Sequence, residues 1–233
     1  MNRLSRRDLF VNEGIGLAAL GSLALTLRAD AHPTPGAVHP GSVVSHNPPG
    51  PGTDLRLPND SVPTSATGYG PFYTPAAPYR AKSCPPFEPG TRLVVTGRVW
   101  AWDTKLPLPS AVIDIWHSDI QGNYSTGSHF RNRVRLVTAE EGQYELEAIH
   151  PVAYPVDNGS WWRSPHVHYK VAAPGYMTLV TELYFEGDKL HEQDKVFQRA
   201  LMMPVNKRKS GTNEYETIVF DIVLEKGKGT KGA

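Results

Sequence analysis

The sequence predicts an all-β protein, a β-sandwich built from short and mostly antiparallel strands. Its 233 residues include 21 glycines and 21 prolines, which favours many turns over long helices. From about residue 92 onwards, short runs of β-branched and aromatic residues recur between these turn residues. Several short strands at such spacing are typical of a sandwich or a barrel.

Seven stretches of the chain have the composition of strands. Most are bounded by Gly, Pro, Asn or Asp, and they cover residues 92–102, 111–116, 134–138, 143–149, 166–173, 178–185 and 217–224. Elsewhere in the core region, only residues 188–202 carry apolar side chains at helical spacing, namely Leu190, Val196, Phe197 and Leu201. We therefore expect one short helix near residues 188–202.

The first 31 residues have the parts of an export signal. The adjacent Arg6 and Arg7 precede an apolar stretch at residues 15–27 and an A-x-A cleavage pattern at residues 29–31. The arginine pair resembles a twin-arginine signal. The apolar stretch is shorter than the ~20 residues that a membrane-spanning helix needs. We expect residues 1–31 to be a signal peptide, and the mature protein to be periplasmic or extracellular with no stable membrane span.

The rest of the chain divides into an arm and a domain. Residues 32–63 are rich in Pro and Gly and show almost no periodicity, which predicts an extended arm. Residues 64–233 then form the folded domain. The formal net charge of +1 gives no basic field for nucleic acid, so we expect no nucleic-acid partner. The single cysteine, Cys84, excludes an intrachain disulfide.

A pair of histidines separated by one residue is the first candidate for chemistry. His166 and His168 flank Val167 within a predicted strand, and side chains two apart in a strand share a face. Both imidazoles could therefore reach one metal ion. Alone, this pattern is weak, because two ordinary histidines at a strand end are more common. A copper or zinc protein would also need a further histidine in a comparable motif, which the sequence lacks.

Three motifs in order give the pair its context. They are W-H-x-x-x-x-G-x-Y-S at residues 116–125, P-x-x-Y at residues 151–154 and R-x-x-H-x-H at residues 163–168. With a G-P-F-Y segment at residues 70–73, this series resembles the intradiol ring-cleavage dioxygenases, which include the catechol and protocatechuate dioxygenases. The resemblance runs from about residue 70 to residue 188.

The resemblance implies a non-haem iron(III) centre. The metal ligands it implies are Tyr124, Tyr154, His166 and His168. Phenolate is a hard anionic donor that suits iron(III), and imidazole suits iron among several metals. The implied reaction opens the ring of a catechol-type substrate between its two hydroxylated carbons. Both atoms of O2 are incorporated, and the product is a muconate-type diacid.

The resemblance also implies roles around the metal. Arg163 would stabilise negative charge that develops on the ring, and Tyr154 would take a substrate proton. Tyr73 and Glu182 would contact the substrate. At the position of Glu182 the family usually has a glutamine, so we expect this glutamate to alter substrate preference. We interpret Tyr144, Tyr169 and Tyr184 as ordinary sheet tyrosines with hydroxyls at a rim and assign them no role in the site.

A reading from another class competes with this one. A non-enzymatic binding module resembling transthyretin-like proteins would share the β-sandwich. Such a module would need neither the two motif tyrosines nor Arg163, and their joint presence favours the enzyme. Self-association into a homo-oligomer is compatible with either reading.

Overall fold

The computed structural model describes residues 55–227. The predicted signal peptide at residues 1–31 and most of the predicted arm lie outside the described residues. Within them, no helix is long and apolar enough to span a membrane.

The described residues form twelve strands, most of them short. Their bounds are β1 Arg92–Ala101, β2 Val112–His117, β3 Arg133–Val137, β4 Gln143–Ile149, β5 Tyr154–Val156, β6 Trp161–Arg163, β7 His166–Ala172, β8 Leu179–Phe185, β9 Met202–Met203, β10 Asn206–Ser210, β11 Asn213–Val219 and β12 Ile222–Leu224.

Two five-stranded sheets carry the fold. One sheet has the order β10-β11-β1-β12, with β4 also paired to β1, and the other has the order β3-β2-β7-β8-β9. We call them the β1 sheet and the β7 sheet. Most pairings are antiparallel, whereas β1 pairs in parallel with β11 and β12, and β8 pairs in parallel with β9. The strands β5 and β6 form a separate hairpin. The predicted all-β fold class is thus confirmed, with mixed sheets.

The main apolar core contains side chains from both sheets. Every second side chain of a strand points to the same face. In β7, Val167, Tyr169 and Val171 are fully buried in this core, together with Ile113 and Ile115 of β2. The alternate side chains of β2 and β7 therefore point to the outer face of the β7 sheet.

The predicted helix near residues 188–202 is wrong. This stretch contains only two short 3-10 turns, His191–Gln193 and Arg199–Leu201, separated by irregular backbone. Aspartate side chains compete for the backbone donors that a helix would use. The carboxylate of Asp188 accepts a hydrogen bond from the amide of Leu190 (2.7 Å).

The strand predicted at residues 217–224 is divided in two. β11 ends at Val219 and β12 begins at Ile222, because Asp221 turns its carboxylate onto the amide of Arg98 (2.8 Å). The amide of Phe220 meanwhile donates to the carbonyl of Thr96 (2.8 Å). The short strands β5, β6, β9 and β10 were not predicted, since two to five residues give too little alternation to detect.

An extended segment at residues 78–83 bridges one open side of the sandwich. The amide of Arg80 donates to the carbonyl of Arg135 in β3 (3.2 Å). The amide of Ser83 donates to the carbonyl of Glu147 in β4 (2.9 Å). Unpaired strand edges invite association with other chains. This segment covers an edge of each sheet.

The segment at residues 64–67 bridges the opposite side. The amide of Thr64 donates to the carbonyl of Val223 in β12 (3.1 Å), and the amide of Thr67 donates to the carbonyl of Val180 in β8 (2.7 Å). Leu57, which belongs to the predicted arm, is buried in a small apolar cluster with Val223. Residues 57–67 are therefore part of the folded unit.

Gly97 lies in β1 where the parallel partner of this strand changes from β11 to β12. A Cβ at this position would overlap the carbonyl oxygen of Phe220 and lie 2.7 Å from its carbonyl carbon. We expect Gly97→Ala to lower the free energy of unfolding by about 3 kcal/mol or more, because backbone cannot move as a side chain can. Urea unfolding followed by tryptophan fluorescence measures this loss. Gly68→Ala is the control, since its Cβ would meet only an atom at 4.0 Å, and equal losses in both variants would contradict the prediction.

Candidate functional site

The site lies on the outer face of the β7 sheet. Trp116 of β2, His168 of β7 and Glu182 of β8 are aligned by the strand register, and Arg133 of β3 continues the row. His166 lies two residues from His168 on the same face, so the predicted sharing of a face is what the strand produces. Both histidines are buried.

The side chains of the four predicted ligands converge. The Nε2 atoms of His166 and His168 are 3.1 Å apart, and Tyr124 Oη is 3.3 Å from His166 Nε2. The Tyr154 ring lies with its centroid 5.7 Å from the Tyr124 ring and 5.7 Å from the His166 ring. Two phenol groups and two imidazoles therefore surround one small region.

A tight turn after β2, at residues 119–123, places Tyr124 in this region. The carboxylate of Asp119 accepts hydrogen bonds from the amides of Gln121 and Asn123, both at 2.9 Å. Gly122 has a positive φ of 80° and approaches Tyr154 so closely that a Cβ would lie 2.9 Å from the Tyr154 Cβ. Glycine is required here because it accepts the backbone conformation and leaves room for the tyrosine.

The orientation of each histidine leaves its Nε2 facing the tyrosines. His166 Nδ1 donates to the carbonyl of Ser164 (2.7 Å), which leaves the lone pair of Nε2 free. His168 Nδ1 is 3.2 Å from Glu182 Oε1, a close approach without the angles of a hydrogen bond. The ring of His168 also stacks on Trp116, with centroids 4.7 Å apart and planes 7° apart.

Burial sets the charge of these groups. It lowers the pKa of His166 to about 4, with the charge of Arg163 adding to the effect, and it lowers the pKa of His168 well below its ordinary value. Both imidazoles are therefore neutral at pH 7, the form that binds metals. Burial also raises the pKa of Tyr124 and Tyr154. The two tyrosines stay protonated unless a cation offsets this effect.

These donors fit iron(III). Two phenol oxygens and two neutral imidazole nitrogens are hard and intermediate donors, which together suit a trivalent ion. His166, His168 and Glu182 also have possible ligand atoms within 4.8 Å of one another. Glu182, however, faces the Nδ1 side of His168, whereas the tyrosines lie on the Nε2 side. The geometry therefore favours the tyrosine-containing set.

Arg163 is buried between two carboxylates. Its Nη2 donates to Glu182 Oε2 (2.9 Å), and its Nε donates to Asp194 Oδ2 (3.2 Å). Burial opposes the charge of the guanidinium, but Glu182 outweighs it with help from neighbouring groups and raises the pKa of Arg163. One cation thus faces two anions. Such a buried cluster depends on all its partners, because removing one leaves a charge uncompensated.

The prediction of rim hydroxyls for three tyrosines is wrong. Tyr184 is fully buried and donates its hydroxyl hydrogen bond to Glu182. Tyr144 is also buried and donates to the carbonyl of Phe220 (2.6 Å), and Tyr169 is fully buried in the core. Tyr184 therefore belongs to the surroundings of the site, whereas the other two are structural.

Tyr73, predicted to contact substrate, contacts Asp114 and Lys170, which pair with each other across β2 and β7 on the side of the Trp116–His168 pair that is away from Tyr124. Its hydroxyl donates to Asp114 (3.4 Å) and accepts from Lys170 (3.2 Å). The neighbouring Phe72 reaches the candidate ligands instead, and its ring stacks on Tyr124 with centroids 4.3 Å apart. The contact of Tyr73 with substrate stays a prediction, and the aromatic contact of this segment to the candidate ligands comes from Phe72.

A cavity of about 510 Å³ is lined by Arg163 and by Glu182, whose Oε1 faces His168, and none of the four candidate ligands lines it. The rest of its lining comes from Thr67, Gly68 and Gly70 and from residues 195–198. Gly70 has a positive φ of 62°, and a Cβ there would lie 3.4 Å from an atom of the His168 ring. This volume is in the range of small-molecule sites. A larger open groove of about 1050 Å³ contacts the candidate ligands only at Tyr124.

Two buried residues near the site were not predicted from sequence. Asp194 falls in the stretch predicted to be helical, where nothing marked it as buried. Arg133 is buried, donates to the carbonyl of Ser125 (2.8 Å) and lies 6.0 Å from the centroid of the Tyr124 ring. Arg133 and Arg135 lie two residues apart in β3 and therefore share a face of the sheet. This spacing is the sequence signal that could have placed Arg133 beside Trp116.

Sequence comparison decides the family. Residues 69–226 match the family model described as Dioxygenase, which covers more than half of the chain. The chain belongs to the intradiol dioxygenase family. This dioxygenase is 34% identical over 188 residues to a chlorocatechol 1,2-dioxygenase of Rhodococcus opacus, covering 70% of its own chain and 72% of the relative. It is 30% identical to a hydroxyquinol 1,2-dioxygenase of Nocardioides simplex, of which it spans 64%.

Solved structures agree with this membership. The dioxygenase resembles the 3-chlorocatechol 1,2-dioxygenase of Rhodococcus opacus 1CP with a TM-score of 0.66 and 25% identity, covering 70% of this chain and 73% of the other. It also resembles the dioxygenase domain of a dioxygenase carbohydrate-binding protein fusion from Streptomyces sp. SirexAA-E, with a TM-score of 0.62 and 32% identity, covering 71% of this chain and all of that domain. The relatives support an intradiol ring-cleaving enzyme over a non-enzymatic transthyretin-like module.

The metal content of purified variants distinguishes a metal-binding histidine from a histidine that is only buried. We expect His168→Ala to lose most of the bound metal, because one of four converging donors disappears. His117→Ala is the matched control. His117 is equally buried but bonds Ser83 Oγ (2.9 Å), so its loss should lower stability and leave metal content unchanged. Elemental analysis of both purified variants makes the comparison, and equal retention of metal would rule out His168 as a ligand.

Proposed function

We propose that this dioxygenase holds iron(III) between Tyr124, Tyr154, His166 and His168 and cleaves a catechol-type substrate with O2 to a muconate-type diacid. The observation that carries the proposal is the convergence of two phenols and two neutral imidazoles. Glu182, which faces His168, lines a cavity. The names of the relatives, which act on chlorocatechol, catechol or hydroxyquinol, support the substrate class.

Iron(III), when bound, would supply the Lewis acidity that prepares the ring for attack by O2. The protein supplies the placement of the substrate and of its protons. Oη of Tyr154 is the group that we assign to accept a proton from a substrate hydroxyl. Burial raises the pKa of Tyr154, so a Tyr154 phenolate that no cation stabilises would favour taking up that proton.

Arg163 would act on charge that develops on the substrate ring. It lines the cavity, and its guanidinium is fixed by hydrogen bonds to Glu182 and Asp194. A fixed donor needs no reorganisation during the reaction. The two carboxylates offset its charge, however, so we infer that its positive field at the ring is weaker than that of an unpaired arginine.

Glu182 would set the strength of that field. Its Oε2 accepts hydrogen bonds from Arg163 and Tyr184, and its Oε1 faces His168. Both oxygens are engaged by the protein, which supports an indirect effect on the substrate more than direct recognition of an additional hydroxyl. A glutamine here would not neutralise Arg163.

The activity test is oxygen uptake by the iron-loaded enzyme with a panel of catechols. We expect one O2 consumed per catechol and a diacid product identified by mass spectrometry. A ring-opened product with an aldehyde group would indicate cleavage outside the two hydroxylated carbons and overturn the assignment. The protein should also show visible absorption from tyrosinate bound to iron(III), and its absence in an iron-loaded, active enzyme would remove the tyrosines from the ligand set.

The same assay on Glu182→Gln separates the two roles of the glutamate. If Glu182 acts through Arg163, kcat should rise several-fold on every catechol of the panel, because the field of the arginine is restored. If it recognises substrate directly, the ranking of catechols should change. Glu186→Gln is the control, since this exposed glutamate lies at the end of the same strand region. Unchanged kinetics in Glu182→Gln would remove it from the functional site.

We also propose that residues 1–31 direct export through the twin-arginine pathway. The support is the sequence pattern, in which Arg6 and Arg7 precede a short apolar stretch and an A-x-A site. Changing both arginines to lysine should leave the precursor inside the cell, as detected by immunoblotting of cell fractions. Arg3 and Arg28 changed together to lysine form the matched control. Export of the first variant at the level of the control would exclude this pathway.

A further inference from the structure

Asp194 makes four hydrogen bonds from a buried position. Its Oδ2 accepts from the amide of Ser164 (3.0 Å), from Ser164 Oγ (3.1 Å) and from Arg163 Nε (3.2 Å). Its Oδ1 accepts from the amide of Val196 (3.0 Å). The side chain itself has no exposed surface. A carboxylate that is both buried and this fully bonded holds its neighbours in one arrangement.

The bonds of Asp194 lead to three parts of the site. Val196 and Arg163 both line the cavity. Ser164 carries the third connection, because its carbonyl accepts the hydrogen bond from His166 Nδ1 (2.7 Å) and so orients the ring of that histidine. One side chain therefore connects the pocket wall, the arginine and a candidate metal ligand.

We propose that Asp194 is a positioning residue that fixes the wall at residues 195–198, the guanidinium of Arg163 and the ring of His166 relative to one another. The inference rests on the proposed function for the roles of Arg163 and His166. Asp194 itself lies behind Arg163 and Ser164 and acts through them.

The chemistry of the side chain makes the proposal specific. Asparagine has the shape of aspartate but only one acceptor oxygen. If that oxygen faces Ser164 and Arg163, the amide NH2 group faces the N–H of Val196, and two donors oppose each other. If the group is turned over, the NH2 faces Arg163 and Ser164. The first arrangement loses the hydrogen bond from Val196, and the second loses those from Arg163 and Ser164. A glutamate at this position has a longer side chain and would not restore both sets.

The experiment compares Asp194→Asn with Asp188→Asn in the iron-loaded enzyme. Asp188 is the matched control, because it lies in the same loop, is only partly buried, and its carboxylate also accepts a backbone hydrogen bond, from Leu190 (2.7 Å). We expect Asp194→Asn to lower kcat at least tenfold and to raise KM several-fold, while iron content is kept. The visible absorption band should shift, because His166 is no longer held. Asp188→Asn should match the wild type in all of these.

Hydrogen exchange gives a readout that needs neither iron nor turnover. Peptides covering residues 160–168 and 190–199 should exchange faster in Asp194→Asn than in wild type or Asp188→Asn. If wild-type enzyme fails to cleave catechols but this exchange difference is present, the proposed function fails and the positioning role stands. If Asp194→Asn lowers the melting temperature but leaves kcat, KM, spectrum and exchange unchanged, Asp194 is merely structural and the proposal is overturned.

A milder variant keeps the test decisive if Asp194→Asn does not fold. Ser164→Ala removes one of the four bonds and keeps the Ser164 carbonyl that orients His166. We expect a smaller fall in kcat in the same direction, with faster exchange in residues 190–199. Wild-type kinetics and exchange in Ser164→Ala, together with an unfolded Asp194→Asn, would count against the proposal.

Discussion

The site depends on the register of four strands. Cross-strand pairing places Arg133, Trp116, His168 and Glu182 in one row on the outer face of the β7 sheet. Because strand side chains alternate, a slip of one residue in β7 would turn His168 towards the core and Val167 towards the tyrosines. The core resists such a slip, since Val167, Tyr169 and Val171 are fully buried within it. The packing of one face thus maintains the chemistry of the other.

The charged groups of the site contact the Glu182 end of this row of side chains. Glu182 lies between His168 and Arg163, so a change at one residue affects a candidate metal ligand and the arginine at once. Replacing a buried ion pair by apolar residues is often neutral or stabilising, whereas removing one partner is strongly destabilising. The excess of carboxylate over guanidinium around Arg163 also suits a neighbouring cation.

The sequence predicted the strands with a regular pattern and the site residues that lie in ordered motifs. The strand β7 was found because its pattern is regular, and the alternation of His166, Val167 and His168 gave the shared face directly. Tyr124 and Tyr154 came from the resemblance, and the structure brings both to the histidines. The residues that escaped prediction act through tertiary contacts. Asp194 has no local signal, because its value comes from Arg163 and Ser164, some 30 residues away along the chain.

The two extended segments before β1 have a consequence for the order of assembly. Thr64 bonds Val223 across a sequence separation of 159 residues, and the same segment continues to Gly70 at the face of His168. A contact of such length closes late, because the chain loses much freedom before it gains the bond. The segment at residues 64–70 therefore takes its final position only when β12 is available to bond Thr64. A ligand that needs Gly70 in place beside His168 must therefore bind after that step.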